Sequence, residues 1–164
     1  MRMPWSREEA LEIAIEAERQ EGAFYDRAAE RATTGRLREV CADLAEAEAK
    51  HERLFRELLR QRDLTRAVAS LYPEDEADRY HRYVMALVES NILPDRESAV
   101  RLADEASTAL EVVHTALQME KNTILFYRQL EAMLGEDIAG LDAVLREERD
   151  HVYELNELRK SLQA

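Results

Sequence analysis

Apolar side chains recur at intervals of three and four residues along four long stretches of the chain, a spacing that places them on one face of a helix. The short breaks at Thr33-Thr34-Gly35 and at Gly135 join these stretches in pairs, and each pair should fold as an antiparallel hairpin. The pattern therefore predicts an all-α four-helix bundle made of two helical hairpins. The long helices are expected over about 7–32, 36–62, 109–134 and 137–162.

The connection between the two hairpins has a weaker pattern. Residues 63–107 form the crossover, and short amphipathic stretches predict helices over about 75–90 and 96–105. Two capping boxes support the helix starts, because Ser6 precedes Glu9 and Thr108 precedes Glu111 by three residues. A chain of 164 residues suits one domain, so we expect residues 1–164 to fold as a single unit.

The inner faces of the long helices are apolar except at a few charged positions. Those positions repeat one arrangement, a Glu on the first helix of each hairpin and Glu-x-x-His on the second. Four Glu and two His of this kind hold pairs of iron or manganese ions in ferritin-like bundles. Carboxylate oxygens can bridge two cations, and neutral imidazole suits iron, manganese and zinc. The six residues are Glu18, Glu48, His51, Glu120, Glu148 and His151.

Distance from the hairpin turns indicates that these residues lie level with one another. Glu18 lies 16 residues before Thr34, while Glu48 and His51 lie 14 and 17 residues after it. Helices rise about 1.5 Å per residue, so the three side chains are level to within about one turn. The second copy gives the same result about Gly135. Two such hairpins packed face to face would bring all six side chains to one plane.

A third Glu-x-x-His match, Glu111 to His114, does not fit the pattern. Glu111 lies nine residues before Glu120, which places it on the opposite side of the same helix. It also serves the predicted capping box. We therefore assign this pair no role in metal binding.

The composition of the chain restricts the classes of partner and the cellular compartment that we expect. A net charge of −12 repels nucleic-acid phosphates, which argues against DNA or RNA binding. No apolar run reaches the roughly 18 residues of a membrane span, and no signal-peptide pattern follows Met1. The single Cys41 cannot close an intramolecular disulfide. A cytoplasmic location is expected.

Several segments resemble the rubrerythrin branch of the ferritin-like superfamily. The resemblance covers all four long helices and implies a bundle in which the second and third long helices are parallel. It also implies a carboxylate-bridged centre of two iron ions, with the six residues above as ligands and with peroxide or dioxygen as the oxidant. The segments are Ala10-Leu-Glu-Ile-Ala-Ile-Glu-Ala-Glu18, Phe24-Tyr25, Glu48-x-x-His51, Glu120-Lys-Asn-Thr-Ile-Leu-Phe-Tyr127 and Glu148-x-x-His151.

The chain departs from that family at two points. One cysteine cannot supply the paired Cys-x-x-Cys motifs of a rubredoxin domain, so electrons should come from a separate donor such as a rubredoxin. The family tends to carry an extra Glu at the position of Thr123, whereas here Glu21 occupies the corresponding position of the first hairpin. Glu21 is either an additional ligand or a surface residue at the rim.

Two tyrosines lie on the ligand faces. Tyr25 and Tyr127 each follow a candidate ligand by seven residues, about 10.5 Å along the helix. That separation favours core aromatics over hydrogen-bond donors behind the ligands.

The sequence thus predicts a di-iron oxidoreductase, with manganese or zinc as alternative metals. The favoured reaction is reduction of hydrogen peroxide or dioxygen by a small oligomer, most simply a homodimer. One alternative is a ferroxidase that binds and stores iron. The other is a non-catalytic helical bundle that is stabilised by metal or pairs with another protein.

Overall fold

The computed structural model describes residues 7–60, 95–134 and 140–163, together with seven helical positions between 79 and 89. Most of the described residues are helical, as predicted, and they include no strand. The predicted cap at Ser6 and most of the predicted helix over 75–90 lie outside this part of the chain. Five helices are defined: α1 (Arg7–Arg31), α2 (Gly35–Arg60), α3 (Arg96–Glu105), α4 (Ala109–Leu134) and α5 (Leu141–Gln163).

Local hydrogen bonds explain where the helices begin. The capping box of α4 is present, with Glu111 N donating to Thr108 Oγ1 at 3.1 Å and Glu111 Oε2 accepting from Ser107 N at 2.6 Å. Asp95 caps α3 by accepting from Ser98 N at 2.7 Å. Glu111 is therefore committed to the helix end, and it is exposed together with His114.

The start of α5 differs from the prediction. The helix was expected from about residue 137, but it begins at Leu141. Gly140 has a φ of +98°, which no helical residue adopts, so the turn ends there and the helix follows. Leu54 of α2 packs against this glycine, because a Cβ built on Gly140 would lie 3.0 Å from Leu54 Cδ2.

Three cross-helix pairs define the direction of α4 against α1. As the residue number rises along α1, the number of its partner on α4 falls, so the two helices are antiparallel. Helix α1 is also antiparallel to α2 in the first hairpin, and α2 and α4 therefore run in the same direction, as the resemblance implies. The three pairs are Glu18 with Tyr127, Glu21 with Thr123, and Tyr25 with Glu120.

The apolar core consists of two clusters separated by a polar layer. One cluster draws on the C-terminal half of α1, with residues such as Phe24, and the other on its N-terminal half, with residues such as Leu11. The same division recurs on α2, α4 and α5, and the predicted ligands lie between the two clusters on each helix. The bundle thus places its charged side chains in a middle layer with apolar packing on both sides.

Helix α3 covers the first of these clusters. Its Ala99 and Ala103 are buried there, and its Asp104 accepts from Arg27 Nε at 2.7 Å and from Arg31 at 3.0 Å. These contacts attach the end of the crossover to α1. In the part of the chain that is described, no helix is long and apolar enough to cross a membrane.

Candidate metal centre

All six predicted ligand positions are buried in the middle layer of the bundle. The four glutamates are at most 1% exposed, and the histidines are 3% and 8% exposed. Charged side chains are almost never buried to this degree without a partner charge or a metal ion. The six side chains lie close together between the two apolar clusters, in agreement with the expectation that they share one layer.

The six side chains form two overlapping clusters. Each cluster contains three carboxylates and one imidazole, with one ligand atom from each residue within 4.8 Å of the others. Glu48 and Glu148 belong to both clusters, whereas Glu18 and Glu120 belong to one each. The clusters are Glu18, Glu48, His51 and Glu148, and Glu48, Glu120, Glu148 and His151.

Each of the two shared carboxylates has one oxygen near His51 and the other oxygen near His151. Glu48 Oε2 lies 3.1 Å from His51 Nδ1, and its Oε1 lies 3.4 Å from His151 Nδ1. Glu148 Oε1 lies 3.0 Å from His51 Nδ1, and its Oε2 lies 3.2 Å from His151 Nδ1. A carboxylate divided in this way is suited to bridge two cations.

The other two glutamates each serve a single histidine. Glu18 Oε2 lies 3.4 Å from His51 Nδ1, and Glu120 Oε2 lies 3.5 Å from His151 Nδ1. The imidazole rings are stacked, with centroids 5.8 Å apart. The centre therefore has two equivalent halves joined by two shared carboxylates.

Unsatisfied oxygens show that the residues fit a pair of metal ions. Five buried carboxylate oxygens have no hydrogen bond of acceptable geometry among the described residues. An orphaned buried carboxylate oxygen is costly unless a cation takes the place of the missing donor. Four glutamates match the charge of two divalent cations. The oxygens are Glu18 Oε2, Glu21 Oε2, Glu48 Oε1, Glu120 Oε2 and Glu148 Oε1.

Without metal, the buried carboxylates other than Glu148 favour protonation. Burial raises the pKa of Glu48 well above its ordinary value, and the charges of Glu148 and Glu18 raise it further. Burial, with the charge of Glu148, raises the pKa of Glu120 to about 8. The raised pKa values reflect the cost of burying several negative charges close together in the absence of metal.

The histidines show the opposite balance. Burial would lower the pKa of His51, but hydrogen bonds with Glu148 and Glu18 outweigh burial and raise the pKa to about 11. The pKa of His151 rises to about 10 for the same reasons, through Glu120 and Glu148. Burial acts to raise the pKa of Glu148, yet hydrogen bonds from both histidines lower it to about 2. Imidazolium ions thus supply positive charge in the metal-free protein, and binding metal must displace their protons.

Both tyrosines donate hydrogen bonds to candidate ligands of the opposite hairpin. Tyr25 Oη donates to Glu120 Oε1 at 2.5 Å, and Tyr127 Oη donates to Glu18 Oε1. Both rings are fully buried, and burial followed by the adjacent carboxylates raises the pKa of each phenol well above its ordinary value. Both rings lie in the apolar core with hydrogen-bonded hydroxyls, as expected of core aromatics, but the hydroxyls also donate to candidate ligands, which the sequence argument disfavoured. That argument measured distance along one helix only, and the acceptor lies on the other hairpin.

Glu21 is buried beside the two clusters but belongs to neither. It is 4% exposed, so its placement at a surface rim is wrong, and Thr123 Oγ1 donates to its Oε1. Burial raises the pKa of Glu21 well above its ordinary value, with Glu120 and Glu148 as the next largest causes. Its Oε2 is one of the five unsatisfied oxygens.

One residue at the centre was missed by the sequence pattern. Glu147 Oε2 lies 3.1 Å from His51 Nε2, the ring nitrogen that faces away from the candidate ligands. Its side chain is 54% exposed, and its spacing resembles that of any surface glutamate in an acidic helix. Its contact depends on how the two hairpins pack, which helical periodicity does not describe.

Comparison with known proteins gives one match. The sequence model of the Rubrerythrin family matches residues 9–159, which cover most or all of each long helix and every residue of the centre. No curated protein and no solved structure matches the chain.

Proposed function

Because this chain belongs to the rubrerythrin family, we propose that it is a non-haem di-iron oxidoreductase that reduces hydrogen peroxide, with dioxygen as the alternative oxidant. The observation that carries the proposal is the pair of buried clusters joined by Glu48 and Glu148. A merely stabilising metal site has no need for two shared carboxylates and two symmetrical terminal ones. Manganese and zinc satisfy the same donor types.

Each residue has an assigned role in this proposal. Glu48 and Glu148 would each offer carboxylate oxygens to both ions, while Glu18 and Glu120 would each help to hold one of them. His51 and His151 ligate through Nδ1, the nitrogen that faces the carboxylates. Neutral imidazole is required for ligation, so both histidines lose a proton when the ions bind.

Glu21 supplies a further carboxylate to the half of the centre that contains Glu120 and His151. Its buried, unsatisfied Oε2 supports this role, as does the stronger influence of Glu120 than of Glu18 on its pKa. Thr123 holds the other oxygen and fixes the carboxylate in place. The extra carboxylate of the family would then have changed hairpins in this chain.

The reaction requires two electrons and two protons for each peroxide. The residues of the centre would hold two ferrous ions, whose chemistry would be one electron each and Lewis acidity towards the oxidant; with the two protons, this balances the conversion of one peroxide into two water molecules. The protein binds and orients the ions, excludes bulk water from the layer and holds Glu18 and Glu120 in place through the tyrosine hydroxyls. Carboxylates with a raised pKa, such as that of Glu120, can hold protons in this layer near neutral pH.

The iron must be reduced again by a partner. Cys41 is buried, and burial raises the pKa of its thiol to about 12, which suits a core residue better than a redox group. We assign electron supply to a separate redox protein of rubredoxin type. A cytoplasmic homodimer remains the proposed state of the protein.

The test is anaerobic loading with ferrous iron, followed by rapid mixing with peroxide or dioxygen. Two ions per chain, oxidised at least about tenfold faster by peroxide, would support the proposal. Faster oxidation by dioxygen, with growth of a mineral core in a large assembly, would favour ferroxidase and storage, and light scattering of the purified protein would detect that assembly.

The chain contains its own matched control. His51→Ala removes a predicted ligand of a Glu-x-x-His motif, whereas His114→Ala changes the exposed third motif. His51→Ala should lower iron binding strongly, and His114→Ala should leave it unchanged. Equal iron binding by both variants would sink the assignment of the centre.

A further inference from the structure

The two nitrogens of His51 have different surroundings. Nδ1 faces carboxylates of the centre, with Glu148 Oε1 at 3.0 Å and Glu48 Oε2 at 3.1 Å. Nε2 points the other way and lies 3.1 Å from Glu147 Oε2. The ring of His51 is therefore held between the proposed metal site and a carboxylate outside it.

This geometry matches what a metal-bound histidine needs. An imidazole that ligates through Nδ1 carries its proton on Nε2, and an acceptor for that proton fixes the tautomer, orients the ring and raises the basicity of the ligating nitrogen. Glu147 is too far outside the layer to be a ligand, because it belongs to neither four-residue cluster. It is placed to act through His51.

The other half of the centre lacks this residue. In the repeated arrangement Glu48 corresponds to Glu148, so the counterpart of Glu147 is Ala47. An alanine cannot accept the Nε2 proton of a histidine. The contacts of His151 with carboxylates of the described helices are all made through Nδ1.

We propose that Glu147 is a positioning residue for His51 and that it gives the His51 half of the centre a higher metal affinity than it would otherwise have. The proposal rests on the proposed function in one respect, the ligation of metal by His51. It adds that two halves with equivalent ligands differ in affinity, because among the described residues an outer carboxylate contacts His51 but none contacts Nε2 of His151. Ions should then fill the centre in a defined order.

The test uses zinc, which is redox-inert, with the metal-free full-length chain and calorimetric titration. Glu147→Ala should raise one of the two dissociation constants about tenfold and leave the other within about twofold, since loss of an outer hydrogen bond to a ligand typically costs 10- to 100-fold in affinity. Glu147→Gln retains a carbonyl acceptor and should recover part of the loss. Glu157→Ala is the control, because it removes the same charge from the same helix at a surface ion pair with Lys160.

A spectroscopic readout separates positioning from general stability. In the zinc-loaded protein, the Nε2 proton of His51 should give a slowly exchanging, downfield NMR signal. That signal should move upfield or disappear in Glu147→Ala, while the His151 signals and the Glu157→Ala spectrum stay unchanged.

The outcomes distinguish this inference from the function on which it rests. A wild-type chain that binds no zinc and no iron overturns the metal centre and this role with it. Normal loading of the wild type, with identical titrations and His51 signals in Glu147→Ala, overturns the role of Glu147 alone. Equal weakening of both ions also overturns it, because positioning through His51 acts on one half.

Discussion

The first hairpin, α1 with α2, and the second, α4 with α5, contribute the same ligand types at matching positions, but their neighbouring residues differ. The first hairpin has Glu21 and Ala47 where the second has Thr123 and Glu147. In both cases the carboxylate acts across the bundle, on a residue of the opposite hairpin. Glu21 is held by Thr123, and Glu147 contacts His51.

This comparison separates two kinds of symmetry. The repeat of the candidate ligands is what a centre with one ion in each half, held by the same donor types, would need. The residues around them are free to differ, and small differences there change affinity, proton content and ligand number without altering the ligand set. The two halves of the centre are therefore chemically alike and energetically unequal.

The largest expected effect tests which ligands are shared. Glu48→Gln and Glu148→Gln should each weaken both ions, by about 100-fold or more, because each carboxylate contributes an oxygen to both clusters. Glu18→Gln and Glu120→Gln should each weaken one ion. Zinc titration of the four variants measures this directly, and a single affected ion in Glu48→Gln would contradict the bridging assignment.

The metal-free forms of these variants provide the control. Glu18, Glu48 and Glu120 have raised pKa values, so replacing any of them by a neutral amide relieves the cost of burying charge, and the thermal stability should be unchanged or higher. Glu148→Gln should instead lower the thermal stability, because it removes the carboxylate that pairs with both imidazolium ions. A loss of metal binding that accompanied unfolding would not identify a ligand, and the melting temperature separates the two cases.

The next effect concerns the protons of the two histidines. Their raised pKa values, about 11 for His51 and about 10 for His151, mean that the imidazolium forms stabilise the metal-free protein below pH about 6.5 and that this stability is lost as the pH rises through 10 to 11. The raised pKa of Glu120, about 8, acts in the same direction between pH about 4.5 and 8. Melting temperature should therefore fall by about 5 °C between pH 7 and 10.

Zinc-saturated protein is the reference for that experiment. Bound ions replace the protons, so the melting temperature of the loaded form should depend less on pH, and zinc affinity should increase as the pH rises. A metal-free protein that became more stable towards pH 10 would refute the assigned proton content. Comparing His51→Gln with His151→Gln would show whether the two halves hold protons unequally.

Glu21 tests the difference between the two halves of the centre at the Glu120 half, whereas Glu147 tests it at the His51 half. Glu21→Gln should weaken one ion about tenfold, and it should be the ion that Glu120→Gln also weakens. Both residues act on the half that contains His151. In the variant that carries both substitutions, the ion of the other half should therefore bind with the same affinity as it does in Glu120→Gln. If the zinc titration of Glu21→Gln is unchanged, Glu21 is not a ligand, and its carboxylate only accepts the hydrogen bond from Thr123.

The tyrosines should give a smaller and more symmetrical effect. Tyr25→Phe and Tyr127→Phe each remove a donor to a terminal ligand, which should weaken the corresponding ion about fivefold, close to the value of about 1 kcal/mol for one hydrogen bond. Tyr25→Phe should act on the Glu120 half and Tyr127→Phe on the Glu18 half. Phe24→Leu is the packing control, because it changes a core ring that packs against Tyr25 at a centroid distance of 5.4 Å but removes no hydrogen-bond donor.

The last comparison is between the two hairpin turns, and it is measured as folding stability, not as metal affinity. Gly140→Ala should destabilise the protein by about 1–2 kcal/mol, because φ is +98° and the new Cβ would approach Leu54. Gly35→Ala should be neutral or stabilising by up to about 1 kcal/mol, since Gly35 is helical and, apart from its own helix backbone and chain neighbours, no described residue lies within 4 Å of its Cβ position. Urea denaturation of both variants measures the difference, and equal effects would mean that the turns are equivalent.

The sequence predicted the part of the structure that local rules determine. The inner stripes of the helices and equal distances from the turns were enough to bring six ligands to one layer. The crossover played no part in that argument, because each hairpin is aligned by its own short turn. The start of α5 was misplaced because the conformation of Gly140 was not considered.

The contacts between hairpins could not be predicted in the same way. The contacts of Tyr25 with Glu120 and of Glu147 with His51 depend on the register of one hairpin against the other. That register depends on packing and on a long crossover. For Glu147 there was no signal at all, since a half-exposed glutamate on an acidic helix is indistinguishable from its neighbours.

The three pairs that connect α1 and α4 also constrain how such a chain can change in evolution. A substitution at one position affects one pair, but a single inserted or deleted residue between Glu18 and Tyr25 rotates the rest of the helix by about 100°. Tyr25 would then leave Glu120, and every later residue of the inner face of α1 would turn out of register with its partners. Lineages of this protein should therefore tolerate exchanges of residue type in the middle of α1 far more readily than any change in its length.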